Sequence, residues 1–159
     1  MKKVLFSLLT MMLIFTSCGA DAVKFNDTIV KEQVSLQAPF LDYCNKFGQA
    51  IATNSVADIK PLGDDLLKKI DANIEVIKGL SAPSGGEKFK DVAIEYFESA
   101  KKIVTLQDQA GTLGDEPTEE QATAFTQEFN EVVKDMTEKE AAFHSAQKEF
   151  AKEKGMKLQ

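Results

Sequence analysis

"EKFKDVAIEYFESAKKIV", residues 87–104, places Phe89, Ala93, Tyr96, Phe97, Ala100, Ile103 and Val104 at steps of one, three or four residues. Those steps keep apolar side chains on one face of a helix, while Lys88, Asp91, Glu95, Glu98, Lys101 and Lys102 fall elsewhere around it. A strand would need alternation in steps of two, which the stretch lacks. The segment therefore predicts an amphipathic helix with one buried stripe.

The same spacing recurs on both sides. Phe25, Ile29, Leu36, Phe40, Cys44, Phe47 and Ile51 form one stripe, ending near "ATNS" at 52–55. Ile59, Leu62, Leu66, Ile70, Ile74, Ile77 and Leu80 form a second, ending at "SAPSGG" at 81–86. After the quoted stretch and "AGTLGDEP" at 110–117, a last stripe carries Ala122, Phe125, Phe129, Val132, Val133, Met136, Phe143 and Phe150. No segment sustains a period of two, so the fold class is all-α. Four helices joined by short loops predict an antiparallel up-down-up-down four-helix bundle over residues 23–159. Of eleven Phe, all but Phe6 and Phe15 lie in this part of the chain, most on the inward stripes.

The helix ends are written in the sequence too. Ser84 with Glu87, and Thr118 with Gln121, have the spacing of a capping box. Pro61 places the regular part of the second helix from about Lys60, after a looser turn. The first helix (about 23–53) and the fourth (about 118–154) are longer than the second and third. Their surplus is expected to project as a two-helix stalk at the end they share. Asp64–Lys68, Asp65–Lys69, Glu98–Lys102 and Asp135–Lys139 have the spacing of ion pairs within one helix.

Composition narrows the function. The chain has 159 residues, 43% hydrophobic and 28% charged, enough for one globular domain with a modest core. Every one of the 19 basic residues is lysine, and the formal charge is −6. Without arginine there is no bidentate fork for phosphate, and an acidic body does not favour nucleic acid. One histidine and no tryptophan leave little for catalysis near neutral pH.

The N-terminus reads as an address. Lys2 and Lys3 precede Val4–Phe15, "VLFSLLTMMLIF", which is apolar except for Ser7 and Thr10. Such a run is shorter than the ~20 residues that span a bilayer and fits the core of a secretory signal. "FTSC", residues 15–18, resembles a bacterial lipobox, which implies cleavage between Ser17 and Cys18 and a diacylglyceryl thioether on Cys18. The expected division is a cleaved signal at 1–17, a lipidated tether at 18–22 and the helical domain at 23–159. Removing Lys2 and Lys3 takes the formal charge from −6 to −8. Lipid rather than charge would then hold the protein at the membrane. Gly19 and Ala20 after the cysteine, in place of an acidic residue, favour the outer membrane. With Cys18 committed to lipid, no Cys18–Cys44 disulfide is expected, and Cys44 is read as a small apolar residue on the inner stripe.

Other candidate sites have plainer readings. His144 has Ala141 three residues before it and Glu140 four before it, which is short of a metal site. Asp115, Glu116, Glu119 and Glu120 gather at the start of the last helix, a weak acidic contact for a cation or a basic partner. The helix dipole alone favours acids there. Tyr43, Tyr96, Asn45 and Asn73 are candidates for a polar pocket between helices, against the alternative of buried rings with hydroxyls at the rim. Lys148, Lys152, Lys154 and Lys157 suit a helix C-terminus. No hydrolase elbow, zinc-protease, P-loop or dinucleotide motif occurs.

"FNDTIVKEQ" (25–33), "LLKKIDANI" (66–74) and "FKDVAIEYFE" (89–98) resemble an uncharacterised family of small helical bacterial surface lipoproteins. The resemblance implies a surface lipoprotein and brings no catalytic residues. The sequence therefore predicts a non-enzymatic, membrane-anchored envelope lipoprotein, with no cofactor beyond the lipid on Cys18. It would present its helices to another envelope or surface macromolecule. The competing expectation is a bundle that binds a small molecule or metal in an interhelical pocket.

Overall fold

The computed structural model describes residues 19–53, 55–111 and 117–157. Among the described residues there are four α-helices: α1 (Ala20–Ala52), α2 (Lys60–Lys78), α3 (Glu87–Ala110) and α4 (Glu119–Glu153). A 3₁₀ turn at Val56–Ile59 leads into α2, and no strand occurs among the described residues. With 33 and 35 residues, α1 and α4 exceed α2 and α3 at 19 and 24. Pro61 stands in the first turn of α2, where its missing N–H costs no helical hydrogen bond.

Helix α1 begins at Ala20, inside the 18–22 stretch expected to be a tether, and Ala22 is already buried. Pro39 lies within α1. A mid-helix proline removes one backbone hydrogen bond and costs about 3 kcal/mol. On either side Leu36, Phe40 and Tyr43 are buried, each burial contributing roughly 1.5–3 kcal/mol. Packing outweighs the defect, and the helix runs through it.

Four phenylalanines close one end. Phe25 of α1 meets Phe89 of α3 at 6.2 Å and Phe150 of α4 at 5.4 Å, both edge to face. Phe89 also lies 5.4 Å from Phe143 and 5.8 Å from Phe150. Beyond Phe150 the chain folds back: Gly155 takes φ 65°, its N–H donates to Lys152, and Met156 N–H donates to Ala151. This is a Schellman cap, and it buries Met156.

Ion pairs between helices follow a consistent order. Lys88–Glu149, Lys139–Glu95 and Lys102–Asp135 link α3 to α4, ascending one helix while descending the other. Phe25–Phe89 and Tyr43–Asp108 show α1 and α3 advancing together. Asn73 Nδ2 joins α2 to α1, donating to the Glu32 carbonyl at 3.1 Å and the Ser35 hydroxyl at 3.3 Å.

Several expectations are corrected. The shared end of α1 and α4 is a packed aromatic cluster rather than a stalk. The surplus lies at the opposite end, where no residue of α4 before Met136 is buried. The register is set by Phe143 and Phe150, which must reach Phe25 and Phe89. Ser84 does not cap α3. It sits in a turn closed by Gly86 N–H donating to the Pro83 carbonyl, with Gly85 at φ 74°, and Gly86 takes the N-cap position. The Thr118–Gln121 capping box is formed, with bonds of 2.9 and 3.2 Å. Of the lysines expected to pair along their own helices, Lys102 reaches across to Asp135 and Lys139 to Glu95, while Lys68 stays within α2 but takes Asp65 in place of Asp64.

At the far end α1, α2 and α3 converge on Gly63. A Cβ there would stand 2.6 Å from Asp108 Oδ1 and 3.0 Å from the Tyr43 hydroxyl. Helix propensity favours alanine over glycine by about 1 kcal/mol, but overpacking costs typically ~1–3 kcal/mol. Gly63→Ala is therefore expected to lower stability by up to about 2 kcal/mol in urea unfolding, and Asp108→Ala in the same chain to recover part of the loss.

Candidate functional site

The sequence-predicted residues fall into separate places. Ser17, Cys18, Asp115 and Glu116 lie outside the described residues. Glu119 and Glu120 are exposed in the first turn of α4, beside the Thr118 cap and over a shallow depression that also takes in Thr123 and Gln127. Tyr43, Tyr96, Asn45 and Asn73 do not converge. Asn45 is exposed, Asn73 is engaged with α1, and the two tyrosines belong to different layers.

The far layer is built from Tyr43, Lys60, Asp64 and Asp108. The Tyr43 hydroxyl donates to Asp108 Oδ1 at 3.3 Å, and Lys60 Nζ reaches Asp64 at 3.0 Å and Asp108 Oδ2 at 3.4 Å. Burial, reinforced by the Asp108 charge, pushes the Tyr43 phenol well above its ordinary range. It stays protonated and serves as a donor. The Lys60 ammonium is fully exposed, so its attraction to the two carboxylates is screened by water.

A second layer crosses the middle of the molecule. Tyr96 is buried beneath Phe97 and Phe143, with ring centroids 5.4 Å from each. Burial pushes its phenol up to about 12, with the Glu140 charge adding to the effect and the Gln33 amide opposing it. Glu140 on α4 is raised above the ordinary carboxylate range, first by desolvation, while His144 one turn on pulls the other way. His144 lies against Phe143, centroids 5.5 Å apart. Among the described residues no three His, Cys, Asp or Glu side chains gather as metal ligands.

Buried amides complete the interior. Gln147 Nε2 donates to Asn26 Oδ1 at 3.3 Å, tying α4 to α1. Gln33 and Gln107 are 4% and 2% exposed, yet Gln33 Nε2 and Gln107 Oε1 find no hydrogen-bond partner among the described residues. The Gln107 side chain lies against Cys44, whose thiol burial pushes up to about 11. Cys44 is a free, half-buried thiol, as the stripe suggested. A thiol that stays protonated at neutral pH is a poor nucleophile.

Sequence reading singled out Tyr43, Tyr96 and Glu140 but missed Gln33, Gln107, Asn26 and Gln147. The available signal was their position. Gln33 falls between Ile29 and Leu36, and Gln107 follows Ile103 and Val104, each on a stripe that is otherwise apolar. Asp108 and Lys60 left no comparable trace, because their partnership joins distant segments.

No protein family, curated protein or solved structure matches the chain.

Two measurements probe this interior. Because the folded Glu140 carboxyl is raised, both folded and unfolded chains hold its proton at low pH. The cost begins as pH rises past the ordinary glutamate value, where the unfolded chain gives up its proton while the folded one still holds it, and is complete above the folded value. Glu140→Gln is expected to leave the unfolding midpoint unchanged below the ordinary glutamate range and to raise it at pH 7. The Cys44 thiol is expected to react with iodoacetamide far more slowly in the native chain than in urea at the same pH, as followed by peptide mass.

Proposed function

We propose that the protein is a bacterial envelope lipoprotein, cut between Ser17 and Cys18 and held by lipid on the Cys18 sulfur, whose helical body is a non-enzymatic interaction module. The observation that carries this reading is the order of chemistry at the N-terminus: Lys2 and Lys3, the apolar run Val4–Phe15, small Thr16 and Ser17, then Cys18. No described helix is long and apolar enough to cross a membrane. Two or three acyl chains, at about 0.8 kcal/mol per buried methylene, anchor stably where one does not. Gly19 and Ala20 favour the outer membrane as the destination.

The body is taken as an antiparallel up-down-up-down bundle. The ordering of the α3–α4 ion pairs and the joint advance of α1 and α3 support this. The interaction role rests on a regular helical body set behind a lipid anchor, a body that several interior polar groups hold together. Asn26, Gln147, Asn73 and Tyr43 bond one helix to another. Its partners would be the membrane, through the lipid, and a second envelope or surface macromolecule.

Expressed in a bacterium that processes lipoproteins, the chain is expected to start at Cys18, carry diacylglyceryl mass on that residue and sediment with membranes. Cys18→Ser should lose both the lipid and the membrane association, whereas Cys44→Ala should keep both. An unmodified Cys18 in a membrane-free chain would overturn the reading.

A further inference from the structure

The exposed large apolar side chains are distributed unevenly. Val34, Leu41 and Ile51 on α1, and Leu62 and Val76 on α2, are 41–51% exposed, and none on α3 or α4 joins them among the described residues. The α3–α4 side carries the cross-helix ion pairs Lys88–Glu149, Lys139–Glu95 and Lys102–Asp135, whereas Lys46–Asp42, Lys68–Asp65 and Lys78–Glu75 run along α1 or α2 alone. From Gln33 to Leu41 the chain has no charged residue, although 28% of the protein is charged. On α2, Leu62, Lys69 and Val76 follow one another at seven-residue steps along one line of the helix.

The start of α1 gives this face an address. The helix begins at Ala20, so a single described residue, Gly19, separates it from Cys18 in the sequence. A lipid on Cys18 would thus be joined to α1 without a long flexible spacer. The start of α1 would be held close to the bilayer.

We propose that the exposed α1–α2 face rests on the lipid bilayer beside the anchor, so that the bundle lies on its side. This rests on the lipoprotein reading, since the anchor supplies the proximity. Val34, Leu41, Leu62 and Val76 enter the boundary between headgroups and acyl chains. Lys24, Lys31 and Lys69 have no ion pair within the described residues, and their long stems let the ammonium groups reach up to the headgroups. The α3–α4 side, with its ion pairs and the groove between Glu98, Lys102, Glu128 and Val132, then faces water and any partner.

The test uses the full chain, purified from a lipoprotein-processing bacterium and reconstituted in phosphatidylcholine vesicles with and without a doxyl-labelled lipid. In a Cys44→Ala background, a fluorophore is placed at Val34→Cys, Val76→Cys or, as reference, Glu98→Cys on α3. Quenching several-fold stronger at 34 and 76 than at 98 is the expected result. Equal quenching at all three positions in a chain whose mass includes the lipid overturns this orientation and leaves the lipoprotein reading standing. A chain without lipid mass overturns the reading and the orientation with it. Disulfide-linked dimers through Val34→Cys would assign the face to a second copy and also overturn the proposal.

Discussion

The contact between Phe25, Phe89, Phe143 and Phe150 brings three helices, and the two ends of the folded chain, to one place. Edge-to-face and offset rings contribute about 0.5–1.5 kcal/mol beyond their burial, but their larger effect is on register. Once Phe143 and Phe150 are seated, α4 has no freedom to slide along α3, and the ion pairs from Lys88 to Lys102 fall into order. The Schellman turn at Gly155 and the burial of Met156 then seal that end.

That seating leaves the molecule asymmetric from end to end. Near the chain termini the interior is aromatic and closed. Toward the α1–α2 connection it becomes polar, through Tyr96 with Gln33 and Glu140 and then Tyr43 with Asp108. Buried amides and phenols of this kind cost stability unless they are paired, and Gln33 Nε2 and Gln107 Oε1, without a partner among the described residues, carry that cost. Residue 63 is glycine where a Cβ would stand 2.6 Å from Asp108 Oδ1 and 3.0 Å from the Tyr43 hydroxyl, so Tyr43 and Asp108 meet there without crowding.

The fold class was legible from apolar spacing alone, and so were details that depend on a few neighbouring residues. The Thr118–Gln121 box, the start of α2 at Lys60 beside Pro61, and the free Cys44 on the α1 stripe are of this kind. Where a local motif competed with a tighter local turn, sequence reading went astray. Ser84 had the spacing of a cap, but the Pro83–Gly86 turn had already claimed it. Lys102 and Lys139 had carboxylates one helical turn away and took others on the neighbouring helix instead. An exposed pair along one helix is worth only a few tenths of a kcal/mol, too little to hold a lysine against a comparable partner across the interface.

By itself, then, the sequence determined four amphipathic helices, two of them long, and supplied the order of residues from which we propose lipid on Cys18. These follow from periodicity, local stereochemistry and the order of residue types, all properties of neighbours along the chain. The tertiary structure alone decided where the extra length of α1 and α4 goes, which polar side chains share a layer, and which face of the bundle stays apolar. Those outcomes depend on the axial register of one helix against another. Register is fixed by side chains far apart in sequence, and no spacing within a single helix encodes it.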